Sequence, residues 1–160
     1  MADKNTQEEL NLDVKVTVKN IAPWDEGFAR VSDGYGEVNI APRGKIRLSR
    51  NEIMAQVQRG NKLFCGINGT GAHATLYIDD EPTRKELDFD NDDGPQMVFF
   101  NLDLKRLFEY KRQDVFEREF KKWIVTRAEK IAVMGAMKAA NVNDYAKIRF
   151  AEEYTGYKFQ

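Results

Sequence analysis

The sequence has very few of the residues that build disulfides and metal sites. Its 160 residues include one cysteine, Cys65, and one histidine, His73. A single cysteine excludes a disulfide within the chain, and one Cys with one His cannot complete a four-ligand zinc site without carboxylates. Cys65 follows the apolar pair Leu63-Phe64, which favours a buried, reduced thiol and a reducing compartment. The sequence therefore predicts neither a metal nor a cofactor.

Long apolar segments are also missing. No run approaches the ~20 apolar residues that a membrane-spanning helix requires. Residues 1–9 are polar and acidic, without the basic and apolar regions of a signal peptide, so we expect no such leader. Hydrophobic residues make up 42% and charged residues 32% of the chain, which is the composition of a folded protein rather than a disordered or membrane-embedded one.

No complete catalytic or nucleotide-binding motif is present. The glycine-rich residues 66–71 lack the Gly-Lys-Ser/Thr of a P-loop, and their strand-like surroundings do not fit a dinucleotide fingerprint. Cys65 and His73 are the only nucleophile and base of their types, and strand periodicity does not place them on one face. The acidic residues 88–95 fail the EF-hand spacing, although loose cation binding by the aspartates stays open. We therefore predict that the protein is not an enzyme.

What the sequence does contain is a run of strand-like segments. Leucine and valine alternate with polar residues over 12–19, a period of two that is typical of a half-buried strand. Ser49 and Glu52 have the spacing of a capping box, which predicts a helix from there to Gly60. Further strands are predicted at 28–32, 37–40, 45–48, 62–67, 73–78 and 84–89.

Beyond the acidic segment the apolar period changes to about 3.6 residues. A short helix is predicted around Leu104, and one long helix from Asp114 to Met134. Asn143 is a plausible N-cap for a last helix that ends at Gly156.

The predicted fold class is α+β. An N-terminal β-rich half, a sandwich or barrel-like structure with one inserted helix, is followed by a C-terminal helical half. The predicted organisation is a flexible tail at 1–11, a β-rich domain at 12–90, an acidic linker at 91–100 and a helical region at 101–160.

The charges are divided unevenly along the chain. Residues 1–94 carry a net charge of −5, whereas residues 95–160 carry +4. Such a split can orient a subunit against a charged partner or a neighbouring copy. The basic helical residues could also meet nucleic-acid phosphates, but acids spaced four residues before Arg118 and Lys121 favour a solvated helix face. The expected partners are other protein subunits, including copies of this chain in a homo-oligomer, rather than nucleic acid or a membrane.

Three segments are predicted as partner contacts because of their expected exposure. They are a glycine loop, the acidic segment and a basic helix face, comprising Asn68, Gly69, Thr70, Gly71, Asp88, Asp90, Asp92, Asp93, Lys121 and Lys122.

Four segments resemble small uncharacterised tailed-bacteriophage proteins in their general style. They are residues 14–20 (VKVTVKN), 27–30 (GFAR), 47–53 (RLSRNEI) and 148–156 (IRFAEEYTG). The resemblance implies a phage context, in the virion or the host cytoplasm, and a non-catalytic structural or assembly role as a minor capsid, head-completion or decoration subunit. Two alternatives stay open: a nucleic-acid-binding regulator or packaging accessory that uses the basic helical half, and a phage inhibitor of host defence.

Overall fold

The computed structural model describes residues 9–159, and it has an N-terminal sheet region followed by a helical half. The predicted α+β class is confirmed. Most of the predicted tail at 1–11 lies outside the described residues. The strands are β1 (Lys15–Asn20), β2 (Glu26–Ala29), β3 (Glu37–Ile40), β4 (Lys45–Ser49) and β5 (Leu76–Asp79). The helices are α1 (Arg50–Gln58), α2 (Lys62–Cys65), α3 (Glu81–Glu86), α4 (Leu104–Glu109), α5 (Gln113–Trp123), α6 (Arg127–Ala139) and α7 (Tyr145–Thr155), with a 3₁₀ turn at Phe99–Asn101.

The described strands form two small antiparallel sheets. β1 lies between β4 and β5 in a three-stranded sheet, while β2 and β3 form a separate hairpin. Val18 of β1 faces Ile46 on one side and Ile78 on the other, and it is fully buried. The predicted alternation holds at Val16 and Val18, which are buried between more exposed polar neighbours. It does not hold at Leu12 and Val14, which precede the strand and are exposed. The sheets do not close into a barrel.

Each half has its own apolar core. In the N-terminal half the sheet packs against α1 and α2 through residues such as Ile53 and Phe64. In the helical half, Phe116 and Phe120 of α5 are fully buried among side chains from α4, α6 and α7. A smaller cluster of Ile21, Ala22 and Ala128 connects the two halves.

Two segments predicted as strands are helical. Asn61 caps α2 by accepting a hydrogen bond from the Leu63 backbone N–H at 3.0 Å, so residues 62–65 turn instead of extending. Asp80 caps α3 in the same way, with Thr83 as the donor at 3.2 Å and Pro82 in the first turn. The N-terminal half therefore contains three short helices rather than one inserted helix.

The long helix predicted from Asp114 to Met134 is two helices, α5 and α6, separated at residues 124–126. Thr126 ends the interruption by capping α6. Its hydroxyl accepts from the Glu129 N–H at 3.1 Å, and Glu129 Oε1 accepts from the Thr126 N–H at 2.9 Å. This is a complete capping box, and a new helix begins there.

The cap of the last helix also differs from the prediction. Asp144, not Asn143, caps α7 by accepting from the Lys147 N–H at 3.3 Å. The predicted end is correct: Gly156 has a left-handed φ of 80°, which glycine adopts without a Cβ penalty.

The capping box predicted at Ser49 is only half formed. Ser49 Oγ accepts from the Glu52 N–H at 3.0 Å, as expected. The Glu52 carboxylate, however, turns toward residues 31–33 and accepts from their three backbone N–H groups, each at 3.0 Å. Gln56 Nε2 adds a fourth donor at 2.8 Å. Burial raises the pKa of Glu52, but these hydrogen bonds outweigh it and hold the pKa below its ordinary value.

Glu52→Gln is expected to lower the free energy of unfolding by about 2 kcal/mol, because an amide cannot accept as many hydrogen bonds as the buried carboxylate does. Since the folded pKa of Glu52 is depressed, the carboxylate stabilises the fold above its unfolded pKa, and this contribution is lost as the pH falls through the folded value. Urea unfolding of both proteins from neutral pH to below about pH 4 measures this.

The matched control is Glu86→Gln, which changes an exposed glutamate of α3 and is expected to alter stability by less than about 0.5 kcal/mol. An equal effect of both substitutions, or a stability difference for Glu52→Gln that does not shrink in acid, contradicts the structural role of Glu52.

Candidate functional site

The predicted glycine loop is divided between an exposed tip and a buried base. Asn68, Gly69 and Thr70 are exposed, whereas Gly71 is buried. A Cβ on Gly71 would lie 2.7 Å from the Phe89 ring, and the Gly71 carbonyl accepts from Gln96 Nε2 at 2.8 Å. The expected exposure is therefore wrong at Gly71, which is a packing position, while a contact role for the tip stays a prediction.

The acidic segment is similarly mixed. Asp88, Asp92 and Asp93 are exposed, but Asp90 is partly buried. Asp90 pairs with Arg84 at 3.0 Å and accepts from the Gln96 N–H at 2.8 Å, so its carboxylate fixes the chain locally. Within residues 9–159, no group of three or more His, Cys, Asp or Glu residues is placed to hold a metal ion.

Lys121 and Lys122 are both exposed near the end of α5. The ammonium of Lys121 lies 5.7 Å from the centroid of the Phe150 ring, a cation–π geometry. The ion pair expected from Asp114 to Arg118 is replaced by pairs with nearer neighbours: Asp114 with Arg112, and Arg118 with Glu119. This face of α5 therefore presents two ammonium groups at the surface.

Cys65 and His73 have separate environments. Cys65 is buried, its Sγ lies 3.6 Å from the Val57 carbonyl oxygen, and burial raises the pKa of its thiol. A raised pKa reduces the reactive thiolate fraction. His73 instead places its Nδ1 2.9 Å from the carboxylate of Glu129.

The contact between His73 and Glu129 is the polar connection between the two halves. Glu129 is 1% exposed, and its carboxylate also accepts from the backbone N–H groups of Val125 and Thr126. His73 reaches it from a strained backbone, with a left-handed φ of 61°. The two residues are 56 positions apart, so no local pattern indicates the contact. Only the capping-box spacing of Thr126 and Glu129 was visible in the sequence.

A groove of about 770 Å³ lies between α4, α6 and α7, and we call it the helical groove. It is lined by apolar Leu104, Phe108, Ala136, Ala139, Ala140 and Val142 and by polar Lys105, Glu109, Asn143, Asp144 and Lys147. Lys147 is nearly buried and donates from Nζ to the Phe108 carbonyl oxygen at 2.7 Å. Asp144 caps α7, so two of the charged groups are occupied by the fold itself.

The walls of the helical groove are apolar, and two of its charged side chains already have hydrogen-bond partners within the fold. The groove therefore suits a partner that fills it with apolar groups. Ligand sites usually combine such walls with a few free polar groups that fix orientation. At the groove rim, Lys105 and Glu109 are exposed and can provide that orientation. Sequence patterns did not indicate this groove, because it forms only when α4, α6 and α7 pack together.

Comparison with known proteins gives no relative: no protein-family model matches the chain, and no curated protein or solved structure matches it either. Among the helices of residues 9–159, none is long and apolar enough to cross a membrane.

His73→Asn and Glu129→Gln are each expected to lower the free energy of unfolding by about 1–3 kcal/mol, because each leaves part of a buried hydrogen-bond set unmatched. Asparagine tolerates a left-handed backbone, so His73→Asn tests the imidazole rather than the φ angle. The double variant is expected to lose less than the sum of the two, with a coupling of about 1 kcal/mol in urea unfolding.

Asn68→Ala, in the exposed tip of the glycine loop, serves as the neutral control. Additive losses within about 0.5 kcal/mol would mean that His73 and Glu129 stabilise the protein independently of their contact.

Proposed function

We propose that the protein is a non-catalytic assembly subunit that works through contacts with other protein subunits, including copies of itself. The observation that carries this proposal is the helical groove. Its walls are apolar, and two of its charged groups, Asp144 and Lys147, are already hydrogen-bonded within the fold. An apolar recess of this kind suits an apolar side chain of a neighbouring subunit.

The charge distribution supports a copy of the same chain as the neighbour. The groove lies in the half that carries +4, and the N-terminal 94 residues carry −5. Opposite charges on two ends of one subunit favour contacts between unlike ends of successive copies. Exposed acids such as Asp92 and Asp93 supply one partner of such a contact, and Lys121 and Lys122 supply the other.

The resemblance to tailed-bacteriophage proteins sets the context of the proposal. It favours a minor capsid, head-completion or decoration role, in which small subunits act by binding one another or a larger particle. The nucleic-acid alternative rests on exposed basic residues of the helical half, such as Lys111 and Lys122. An inhibitor of host defence would also act by protein contacts, but its partner would come from the host.

The first test is the mass of the natively purified protein, measured by light scattering at about 0.05 M and about 1 M salt. At about 1 M salt the screening length falls to about 3 Å, so contacts between exposed charges weaken. The expected result is a defined oligomer at low salt that dissociates at high salt and has the absorbance ratio of a protein free of nucleic acid.

Ala140→Arg places a bulky cation at the mouth of the helical groove and is expected to weaken self-association by at least about tenfold. The matched control is Ala146→Arg, which adds the same charge at an exposed position of α7 outside the groove lining. A monomer at both salt concentrations contradicts self-assembly. A monomer that carries nucleic acid and releases it as salt rises favours the nucleic-acid alternative.

A further inference from the structure

A second cavity, of about 410 Å³, lies where the two halves of the chain meet, and we call it the junction cleft. Ile21 and Phe99, which belong to the cluster that connects the halves, form part of its wall together with Phe100. The other side is the face of α6 that carries Ala132, Gly135, Ala136 and Ala139. These small residues follow the spacing of one helix face, so the cleft runs along α6 on an apolar floor.

Arg43 is the only charged residue that lines the junction cleft, and no acid accompanies it. Its side chain is exposed, and no ion pair or hydrogen bond engages its guanidinium within residues 9–159. The backbone holds it there through a tight turn. The Arg43 N–H donates to the Ala22 carbonyl oxygen at 2.9 Å, and φ is left-handed at 54°. A fixed backbone thus presents a free cation at an apolar cleft.

The other polar side chain at the cleft cannot serve as a second anchor. Asn20 is buried, and its amide nitrogen donates to three carbonyl oxygens, of which Trp24 is the nearest at 2.9 Å. Its Oδ1 accepts from the Ala22 N–H at 2.8 Å. Arg43 is therefore the one lining group with unused hydrogen-bonding capacity.

The junction cleft has open space beside α6 and an exposed aromatic ring in its lining. A Cβ on Gly135 would meet no atom within 4 Å, although Gly135 lies in the middle of α6. Phe100 is 47% exposed even though its ring lies 5.4 Å from the Tyr77 ring. Both features leave apolar surface along the cleft that a small apolar molecule would cover.

We propose that the junction cleft binds a small monocarboxylate with an apolar hydrocarbon body. The carboxylate pairs with Arg43, whose planar guanidinium matches two carboxylate oxygens, and the hydrocarbon lies between Phe100 and Gly135. The cleft volume falls within the range of small-ligand sites, about 300–1,000 Å³. This inference does not depend on the proposed assembly role.

The test is isothermal titration calorimetry of the full chain with octanoate, octanol and octylammonium, which share one hydrocarbon body. Octanoate is expected to bind with one-to-one stoichiometry and about tenfold more tightly than octanol, because only the carboxylate reaches Arg43 with a charge-assisted bond. Octylammonium is expected to bind more weakly than octanol, because its cation lies beside a guanidinium.

Two substitutions test separately how much the charge of Arg43 and the open volume of the cleft contribute to binding. Arg43→Asn removes the charge while tolerating the left-handed backbone, and it is expected to weaken octanoate about tenfold without changing octanol. Gly135→Leu fills the cleft and is expected to weaken both ligands by at least about tenfold. Its stability is expected not to fall, because leucine favours a helix more than glycine does. Arg59→Gln, which changes another exposed arginine, is expected to leave binding unchanged.

Three results would overturn the proposal. The first is equal affinity for octanoate and octanol, and the second is unchanged octanoate binding by Arg43→Asn. The third is a wild-type protein that forms an oligomer but does not bind octanoate, together with a Gly135→Leu variant that no longer forms the oligomer. That result would make the cleft an interface between copies. Loss of self-association in Ala140→Arg with octanoate binding intact would separate this site from the helical groove.

Discussion

The buried carboxylate of Glu129 is the group on which the arrangement of the whole molecule depends. It accepts from the backbone of Val125 and Thr126 and from the ring of His73, all within about 3 Å. A buried carboxylate is costly unless donors surround it, so these three donors stabilise the folded arrangement around Glu129. The same carboxylate therefore stabilises both the start of α6 and the docking of the N-terminal half. α6 also borders both cavities.

Glu52 is a second buried carboxylate that accepts several backbone hydrogen bonds, in the N-terminal half. It occupies the third position of α1, as Glu129 does in α6, and the N-cap hydroxyl in each case bonds the glutamate N–H. The carboxylate of Glu52 then holds residues 31–33 against the helix instead of completing the local box. In a capping box the glutamate carboxylate normally accepts a hydrogen bond from the backbone at the start of its own helix. Here the Glu52 carboxylate instead holds a segment from another part of the chain. Both glutamates have structural roles, and their burial is not evidence for catalysis.

The features that sequence reasoning predicted correctly are those set by neighbouring residues, such as the alternation through Val16 and Val18 and the left-handed end at Gly156. The strand assigned to 62–67 was wrong because a short apolar run fits a strand or a buried helical turn equally, and the cap at Asn61 decided between them. The break between α5 and α6 could have been read from Thr126 and Glu129. The contact of His73 with Glu129 could not, since it joins residues that only the tertiary fold brings together. The groove and the cleft depend on packing in the same way.

The polar side chains fall into two sets, one hydrogen-bonded inside the fold and one exposed at the surface. Glu52, Asp90, Glu129 and Lys147 are hydrogen-bonded inside the fold, where they fix segments to one another. Arg43 and Lys122 are exposed, and neither side chain forms an ion pair within residues 9–159. The assembly role and the carboxylate site that we propose both place recognition in apolar cavities, with exposed charges to orient the partner. Both cavities have Ala136 and Ala139 in their linings, so one face of α6 contributes to each of the two proposed sites.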